Sequence, residues 1–381
     1  MPCTVLTIVS TLARCSPMDG LHKVTRYMNP AKYRAVIAAI SPGPADSLVE
    51  AFQELGISVR QLGLSRIGSL LFGVRELRRL VSEVRPDLVH CHGIRADVLA
   101  AMAGLACPVV TTLHSDLLRD YRSGYGRLVG TVAANCEYAA LRCFSGVIAV
   151  SQPLAEVASL RGVAAHAIPN GVEIDEFCPA AGLDSVTTLR ARFGWPAGAL
   201  VVLHTGVLRS LKNPGAVLRG FRASTISRQG LLVFAGDGPL LAQCKKLASG
   251  ASNIVFLAKR NDISELLRAA DILISASSSE GLGTALLEGC ASGIRILASD
   301  IPAHRYIQGL FPGQVTIFGR GDAESVRAIL DSVGQKDARL RFLPPQSALE
   351  GISARRMSES YQRFYSEILQ SASSSRLCRA E

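Results

Sequence analysis

Short runs of β-branched and aliphatic residues alternate along this chain with stretches whose apolar residues recur at helical spacing. CTVLTIV begins the series, and GLHKVTRYM follows with a helical pattern. YRAVIAAI, SLVEAFQELG and ISVRQLGL then repeat strand, helix, strand. LLFGVRELRRLVSEV is amphipathic, and Pro86 stops it. DLVHCHG, PVVTTLH and SGVIAVS predict three more short strands. Strands separated by helices in this way predict an α/β fold with a parallel, doubly wound sheet.

The second half repeats the same grammar. ALVVLHTG, GLLVFAG, NIVFLA, DILISAS and IRILAS read as strands, each followed by a helix or a loop rich in Gly, Pro or Ser. Two Rossmann-like units are therefore expected. Their junction falls in HAIPNGVEIDEFCPA, where Pro169, Asn170 and Gly171 are turn formers. That gives an N-terminal unit over 1–168 and a second over 169–353. A last helix is expected over 354–371, because Met357, Tyr361, Phe364, Tyr365, Ile368 and Leu369 recur at helical spacing. The tail SASSSRLCRAE reads as frayed. Open α/β sheets bind ligands at the C-terminal ends of their strands, so a shared central crevice is expected.

Composition narrows the class. A chain of 381 residues suits two domains, and 48% hydrophobic with 19% charged residues excludes disorder. No apolar run approaches the roughly 18 residues of a membrane span. MPCTVLTIVS lacks a basic n-region and reads as a core strand rather than a signal peptide. The net charge is +10, with +5 on either side of Asn170, so no single basic domain stands out. This balance suits an anionic substrate or an anionic membrane surface. Nucleic acid is not expected, because no recognition motif occurs and aromatic residues are few. Ten cysteines without a CxxC pair read as small buried hydrophobes in a reducing compartment.

Candidate chemistry concentrates in EGLGTALLEG, 280–289. Glu280 follows a strand and a serine-rich loop. Gly281 and Gly283 permit close backbone approach to a ligand. A helix is expected to begin near Thr284, with its first amides suited to a phosphate. Glu288, about one turn in, could accept hydrogen bonds from paired hydroxyls such as a ribose. Two such glutamates can equally be an ordinary acidic helix start. TGVLRSLKNP puts Arg209 and Lys212 in another loop at a strand end, where the two cations could clamp a diphosphate. The glycines of GDGP, Gly236 and Gly238, mark a tight turn close to a ligand or to a neighbouring loop. His90 and His92 share one side of a strand, and His114 ends the next. Each reads as a structural histidine or as a polar contact to substrate. Two histidines are too few for a metal site, and no DxD triplet is present to hold a cation on a diphosphate.

Taken together, SEGLGTALLEGCASGIRILASD, KNP, GDGPL, ISELLRAADILISAS and IPNGVEIDEFCP, in that family's order, resemble the retaining glycosyltransferases of family GT4. The resemblance covers nearly the whole chain. It implies the two-domain GT-B fold, with the helix of 354–371 packing back on the first unit, and a nucleotide-sugar donor, UDP being the commonest. Transfer would go to a glycan or lipid-linked acceptor with retained anomeric configuration, in surface polysaccharide synthesis. By the family's pattern Glu288 binds ribose and Glu280 the donor sugar. Arg209 and Lys212 hold the diphosphate with the backbone of Gly281, Leu282, Gly283 and Thr284, and His114 lies near the reacting sugar. No metal or other cofactor is implied. Location would be cytoplasmic, with peripheral contact at the inner membrane face. LLFGVRELRRLVSEVR could lie on that membrane or simply cover the sheet. The chain departs from the pattern at Val207, where relatives have Arg, and at Cys15-Ser16, where they have Gly-Gly. A nucleotide-sugar 2-epimerase and a transferase-like partner subunit without activity are the alternatives.

Overall fold

Parallel strands joined by helices make up both halves of the computed structural model, which describes residues 2–180 and 182–377. Residues up to Gly171, together with those from Ala354 on, form one unit; Val172–Ser353 form the other. The first boundary lies three residues beyond the expected one. Ile168 still donates to Ala149 O (2.9 Å) and Gly171 O accepts from Lys23 Nζ (3.2 Å), which ties this turn to the first unit. Val172 N–H then bonds to Ile352 O (2.8 Å) in the second.

In the first unit the chain runs β1 (Cys3–Val9), α1 (Ser16–Arg26), β2 (Tyr33–Ala39), α2 (Val49–Glu54), β3 (Ser58–Gln61) and α3 (Arg66–Val84). It continues through β4 (Leu88–His92), α4 (Ile94–Ala103), β5 (Val109–Leu113), α5 (Leu117–Tyr125), α6 (Arg127–Leu141), β6 (Gly146–Ala149), α7 (Gln152–Ser159) and β7 (His166–Ala167). The sheet order is β3-β2-β1-β4-β5-β6-β7, with parallel pairing throughout. Central strands β4 and β5 are buried along their whole length, as a sheet covered on both faces requires. Edge strand β3 is polar and largely exposed.

The second unit runs α8 (Leu183–Phe193), β8 (Leu200–Thr205), α9 (Pro214–Ala223), β9 (Gly230–Ala235), α10 (Leu241–Leu247), β10 (Ile254–Phe256), α11 (Ile263–Ala269) and β11 (Ile272–Ser275). Then follow α12 (Thr284–Ala291), β12 (Arg295–Ser299), α13 (Pro302–Leu310), β13 (Val315–Phe318), α14 (Ala323–Ser332), α15 (Gln335–Ala338) and α16 (Gln346–Gly351). Its sheet order is β10-β9-β8-β11-β12-β13, again parallel. The strand order reverses direction at β8 and β11, which is where a doubly wound sheet opens a ligand crevice.

The last helix, α17 (Ala354–Leu377), returns to the first unit. Met357, Tyr361, Phe364 and Tyr365 are buried against β-strand residues Val5, Leu88, Val110 and Ile148. Polar contacts fix the register: Tyr33 Oη donates to Gln362 O (2.8 Å), and Ser358 Oγ donates to Val24 O (2.7 Å). The expected fraying at 371 is corrected. The helix runs on to Leu377, and the hydroxyls of Ser371, Ser373 and Ser374 are satisfied within it by donating to carbonyls four residues earlier, at 3.0, 2.9 and 3.1 Å. Residues 378–381 of that tail lie outside the described residues.

A second correction concerns the cysteines. Cys91, Cys244 and Cys290 are buried, but Cys15, Cys136 and Cys143 are exposed. Cys136 sits in an apolar stretch because α6 is rich in small residues on both faces, not because its own face is inward. Among the described residues no group of three His, Cys, Asp or Glu side chains could hold a metal ion. None of the described helices is long and apolar enough to cross a membrane.

Candidate functional site

Three loops at the C-terminal ends of β8, β9 and β11 bring most of the sequence-nominated residues of the second unit together. The loop after β8 enters a 3-10 turn, Ser210–Lys212, with Arg209 extended just before it. Asn213 closes the turn in the left-handed region (φ 50°) and anchors it by donating to Gly321 O (2.7 Å). The loop after β11 is hung on this turn, since Ser278 N–H donates to Leu211 O (2.8 Å).

That attachment presents Glu280 to Lys212. Lys212 Nζ lies 2.5 Å from Glu280 Oε1, and Ser277 Oγ donates to the same oxygen at 2.7 Å. Burial alone would raise the Glu280 pKa. The Lys212 charge, His304 and the two hydrogen bonds outweigh it and hold the carboxyl below its ordinary value. Ser277 is fixed in turn, because its carbonyl accepts from Ser299 Oγ (2.6 Å). His304 Nδ1 meets Ser299 O at 2.8 Å, and its ring lies under Gly283, where an added Cβ would sit 3.8 Å from Cδ2. A backbone carbonyl accepts only, so Nδ1 carries a proton. Burial lowers the His304 pKa, and the Glu280 carboxylate and the bond to Ser299 O oppose that shift.

Helix α12 starts at Thr284, as expected, from Gly283 at φ 91°. A side chain at Gly283 would be strained there, and glycine leaves the helix start without a side-chain cap. Gly281 and Leu282 are buried in the approach, and Glu288 is half-buried in the second turn. Leu286, Leu287 and Cys290 fill the opposite, inward face. The amide-bearing end of α12, the Lys212–Glu280 pair and Arg209 thus share one edge of one sheet. Such an edge suits a ligand with both hydroxyl groups and anionic oxygens.

Gly236 and Gly238 serve the neighbouring loop. An added Cβ would lie 1.9 Å from Gly206 O at the first and 2.6 Å from Leu208 O at the second. The loops after β8 and β9 are zipped by Gly206 N–H to Ala235 O (3.0 Å), Leu208 N–H to Asp237 O (2.9 Å) and Leu240 N–H to Leu208 O (2.9 Å). Glycine is needed for backbone to lie on backbone.

His114 belongs to the first unit, at the end of β5. Its Nε2 is 2.9 Å from Nδ1 of His92, and the two rings stack at 5.2 Å. His90 is different. Both its nitrogens are satisfied, Nδ1 by Tyr365 Oη (2.7 Å) and Nε2 by Thr112 Oγ1 (2.9 Å), so it is a core histidine. Burial, with a smaller contribution from His114, pushes His90 down to about 3; burial pushes His114 down to about 4. Sequence reasoning did not pick out Ser277, Ser299 or His304. The serine three residues before Glu280 was a visible signal; His304 gave none, because its contact exists only once α13 packs under the loop.

Two parallel Rossmann-like units define the GT-B class of glycosyltransferase folds. A solved structure from Anabaena, HepE in complex with UDP and glucose, aligns with a TM-score of 0.78 over 96% of this chain and 100% of that one, at 19% identity. The family models agree: Glycosyltransferase Family 4 matches residues 21–176 and Glycosyl transferases group 1 matches 185–333. The chain belongs to the family 4 glycosyltransferases. Phosphatidyl-myo-inositol mannosyltransferase of Mycobacterium tuberculosis is 28% identical over 288 residues, 72% of this chain and 70% of that protein. UDP-Gal:alpha-D-GlcNAc-diphosphoundecaprenol alpha-1,3-galactosyltransferase of Escherichia coli is 26% identical over 240 residues, 59% and 60% respectively. The chain spans about half the length of several curated relatives that it matches.

Proposed function

We propose that this chain transfers a sugar from a nucleoside-diphosphate donor, a UDP-sugar, to a lipid-linked or glycan acceptor in surface polysaccharide synthesis. The observation that carries the reading is the Lys212–Glu280 pair at the start of α12, with Glu288 one turn further on. The names of two relatives support the lipid-linked acceptor: one acts on a diphosphoundecaprenol, the other is a phosphatidyl-inositol mannosyltransferase. UDP in the HepE structure supports the donor class.

In this mechanism the diphosphate sits against Arg209, Lys212 and the amides of Gly283 and Thr284. Glu288 accepts from the ribose hydroxyls, and Glu280 accepts from a sugar hydroxyl while it orients Lys212. The bond between the anomeric carbon and the diphosphate oxygen breaks, and the electron pair leaves with the diphosphate. Cations and helix amides stabilise that charge as it develops. The acceptor oxygen bonds to the anomeric carbon from the face of departure, and its proton passes to the leaving phosphate. Configuration is then retained. Fixed protein cations supply the positive charge, so no metal is assigned a step. The reaction takes place in the cytoplasm.

The test is a panel of nucleotide sugars offered with and without a lipid extract, following release of nucleoside diphosphate. Release that rises with the extract is expected. No binding and no release with any donor would remove the enzyme reading. A C2-epimerised nucleotide sugar would instead identify an isomerase.

A further inference from the structure

Two histidines of the second unit flank the Lys212–Glu280 pair, and each has one ring nitrogen unused. His204, on β8, meets Ile274 O through Nδ1 at 3.1 Å; His304, on α13, meets Ser299 O through Nδ1 at 2.8 Å. Both side chains are buried, and among the described residues Nε2 of neither has a hydrogen-bond partner. Carbonyls only accept, so each Nδ1 carries a proton, and a second proton has one place to go, Nε2.

The rings stand differently to the pair. Burial is the largest influence on both and lowers them. Beyond it, the Lys212 cation outweighs the Glu280 carboxylate at His204, whereas at His304 the carboxylate outweighs the cation. His304 is therefore the ring on the carboxylate side. Among the charges that hold Glu280 ionised, it stands second to Lys212. Its Nε2 lies 3.9 Å from where a Cβ on Gly283 would be, directly before the first residue of α12. Ser299 and Ser277 tie the two together, since Ser299 Oγ donates to Ser277 O (2.6 Å) and Ser277 Oγ to Glu280 Oε1 (2.7 Å). The other titratable groups on the packed elements offer Glu280 no cation. Helix α12 adds Glu288 and the inward Cys290, and α13 adds Tyr306 and Arg305, which is spent on Asp300 at 2.6 Å on the surface. Strand β13 adds none.

A diphosphate at the start of α12 competes with Glu280 for Lys212. A buried carboxylate that loses its counter-charge is costly. As the Lys212 charge turns to the ligand, what opposes a second proton on His304 weakens, while Glu280, which favours it, remains. We propose that His304 is a positioning residue that takes a proton from solvent onto Nε2 as the donor diphosphate draws Lys212 from Glu280. The imidazolium then replaces Lys212 as the counter-charge of Glu280, which stays ionised to hold a sugar hydroxyl. The proposal rests on the transferase reading and adds to it a linkage: donor and proton each strengthen the binding of the other, so affinity rises as the pH falls towards the ordinary histidine value.

Calorimetric titration of the full chain with UDP-glucose at pH 6.5, in two buffers of different ionisation heat, counts the protons. The diphosphate of this probe is a diester without the second ionisation, near about 6, of a terminal phosphate, so it brings no proton of its own. Uptake of about half a proton or more is expected for wild type and for His204→Gln, and close to none for His304→Gln, whose amide still reaches Ser299 O. No uptake by wild type, or uptake retained in His304→Gln, would overturn the proposal, as would its loss in His204→Gln alone. A second measurement needs no donor. In Lys212→Met, nitrogen NMR of histidine-labelled protein should show His304 gaining its second proton at a pH about one unit higher than in wild type. An unchanged titration overturns the proposal whatever the donor. If that shift appears but UDP-glucose does not bind, the UDP-donor reading falls and the proton site on His304 stands.

Discussion

Lys212 Nζ and Glu280 Oε1 lie 2.5 Å apart, so the cation of one loop and the carboxylate of the next form one unit rather than two separate contacts. Both side chains are largely buried. Removing either leaves the other charged, buried and unpaired, which is far costlier than losing a surface pair.

Lys212→Met should therefore lower the rate of donor cleavage by about 100-fold or more, because a charge aimed at the leaving group is lost. It should also raise the Glu280 pKa, since burial would then be opposed by fewer partners. In the wild type the pair contributes stability that is present above the ordinary carboxyl value of 4.5 and lost as the pH falls through the lowered one. Steady-state release of nucleoside diphosphate from pH 5 to 9 measures the first effect. A rate within a few-fold of wild type would refute the role of Lys212.

Glu288→Ala should weaken donor binding about tenfold while leaving the thermal midpoint close to that of wild type. The estimate follows from losing charge-assisted hydrogen bonds at a half-buried site. Calorimetric titration with UDP reads it directly. Unchanged affinity would show that the ribose is held elsewhere.

Gly236→Ala has a different signature. An added Cβ 1.9 Å from Gly206 O must push the loops after β8 and β9 apart. The urea midpoint should fall by an amount equivalent to about 2 kcal/mol or more. Donor binding should weaken as well, through displacement of Arg209 and Lys212. Gly250→Ala, where nothing lies within 4 Å but φ is 80°, serves as a control for backbone strain alone.

Acid should destabilise this protein early. Burial lowers His92 well below the ordinary histidine value and brings His114 and His204 to about 4. Below the ordinary value of 6.5 the unfolded chain binds protons at these rings while the folded chain does not, so stability falls as the pH falls. The slope is about 1.4 kcal/mol per pH unit for each such ring. Urea midpoints at pH 7.5, 6 and 5 should decline in that order. His114→Gln should flatten the decline.

Much of the architecture was legible in the chain. Alternating strand and helix patterns gave two doubly wound units, and the apolar stripe from Met357 to Leu369 announced α17. Short or weakly patterned pieces were not legible. His166–Ala167 pairs with only two residues of β6, and Val315–Phe318 is a strand because β12 lies beside it. Of the candidate site, residue types and loop positions were readable, but partners were not. Lys212 was assigned to a diphosphate and Glu280 to a sugar, although in the folded chain they hold each other.

The sequence by itself determined the fold class, the place of each loop at a strand end and the start of α12. These depend on local periodicity and on glycine. Tertiary structure alone decided that Gly236 and Gly238 serve backbone contact, that His92 pairs with His114 while His90 is satisfied by Tyr365, and that the first turns of α3 are exposed. Each of these depends on which residues, distant along the chain, lie within a few ångströms once the parallel strands take their order.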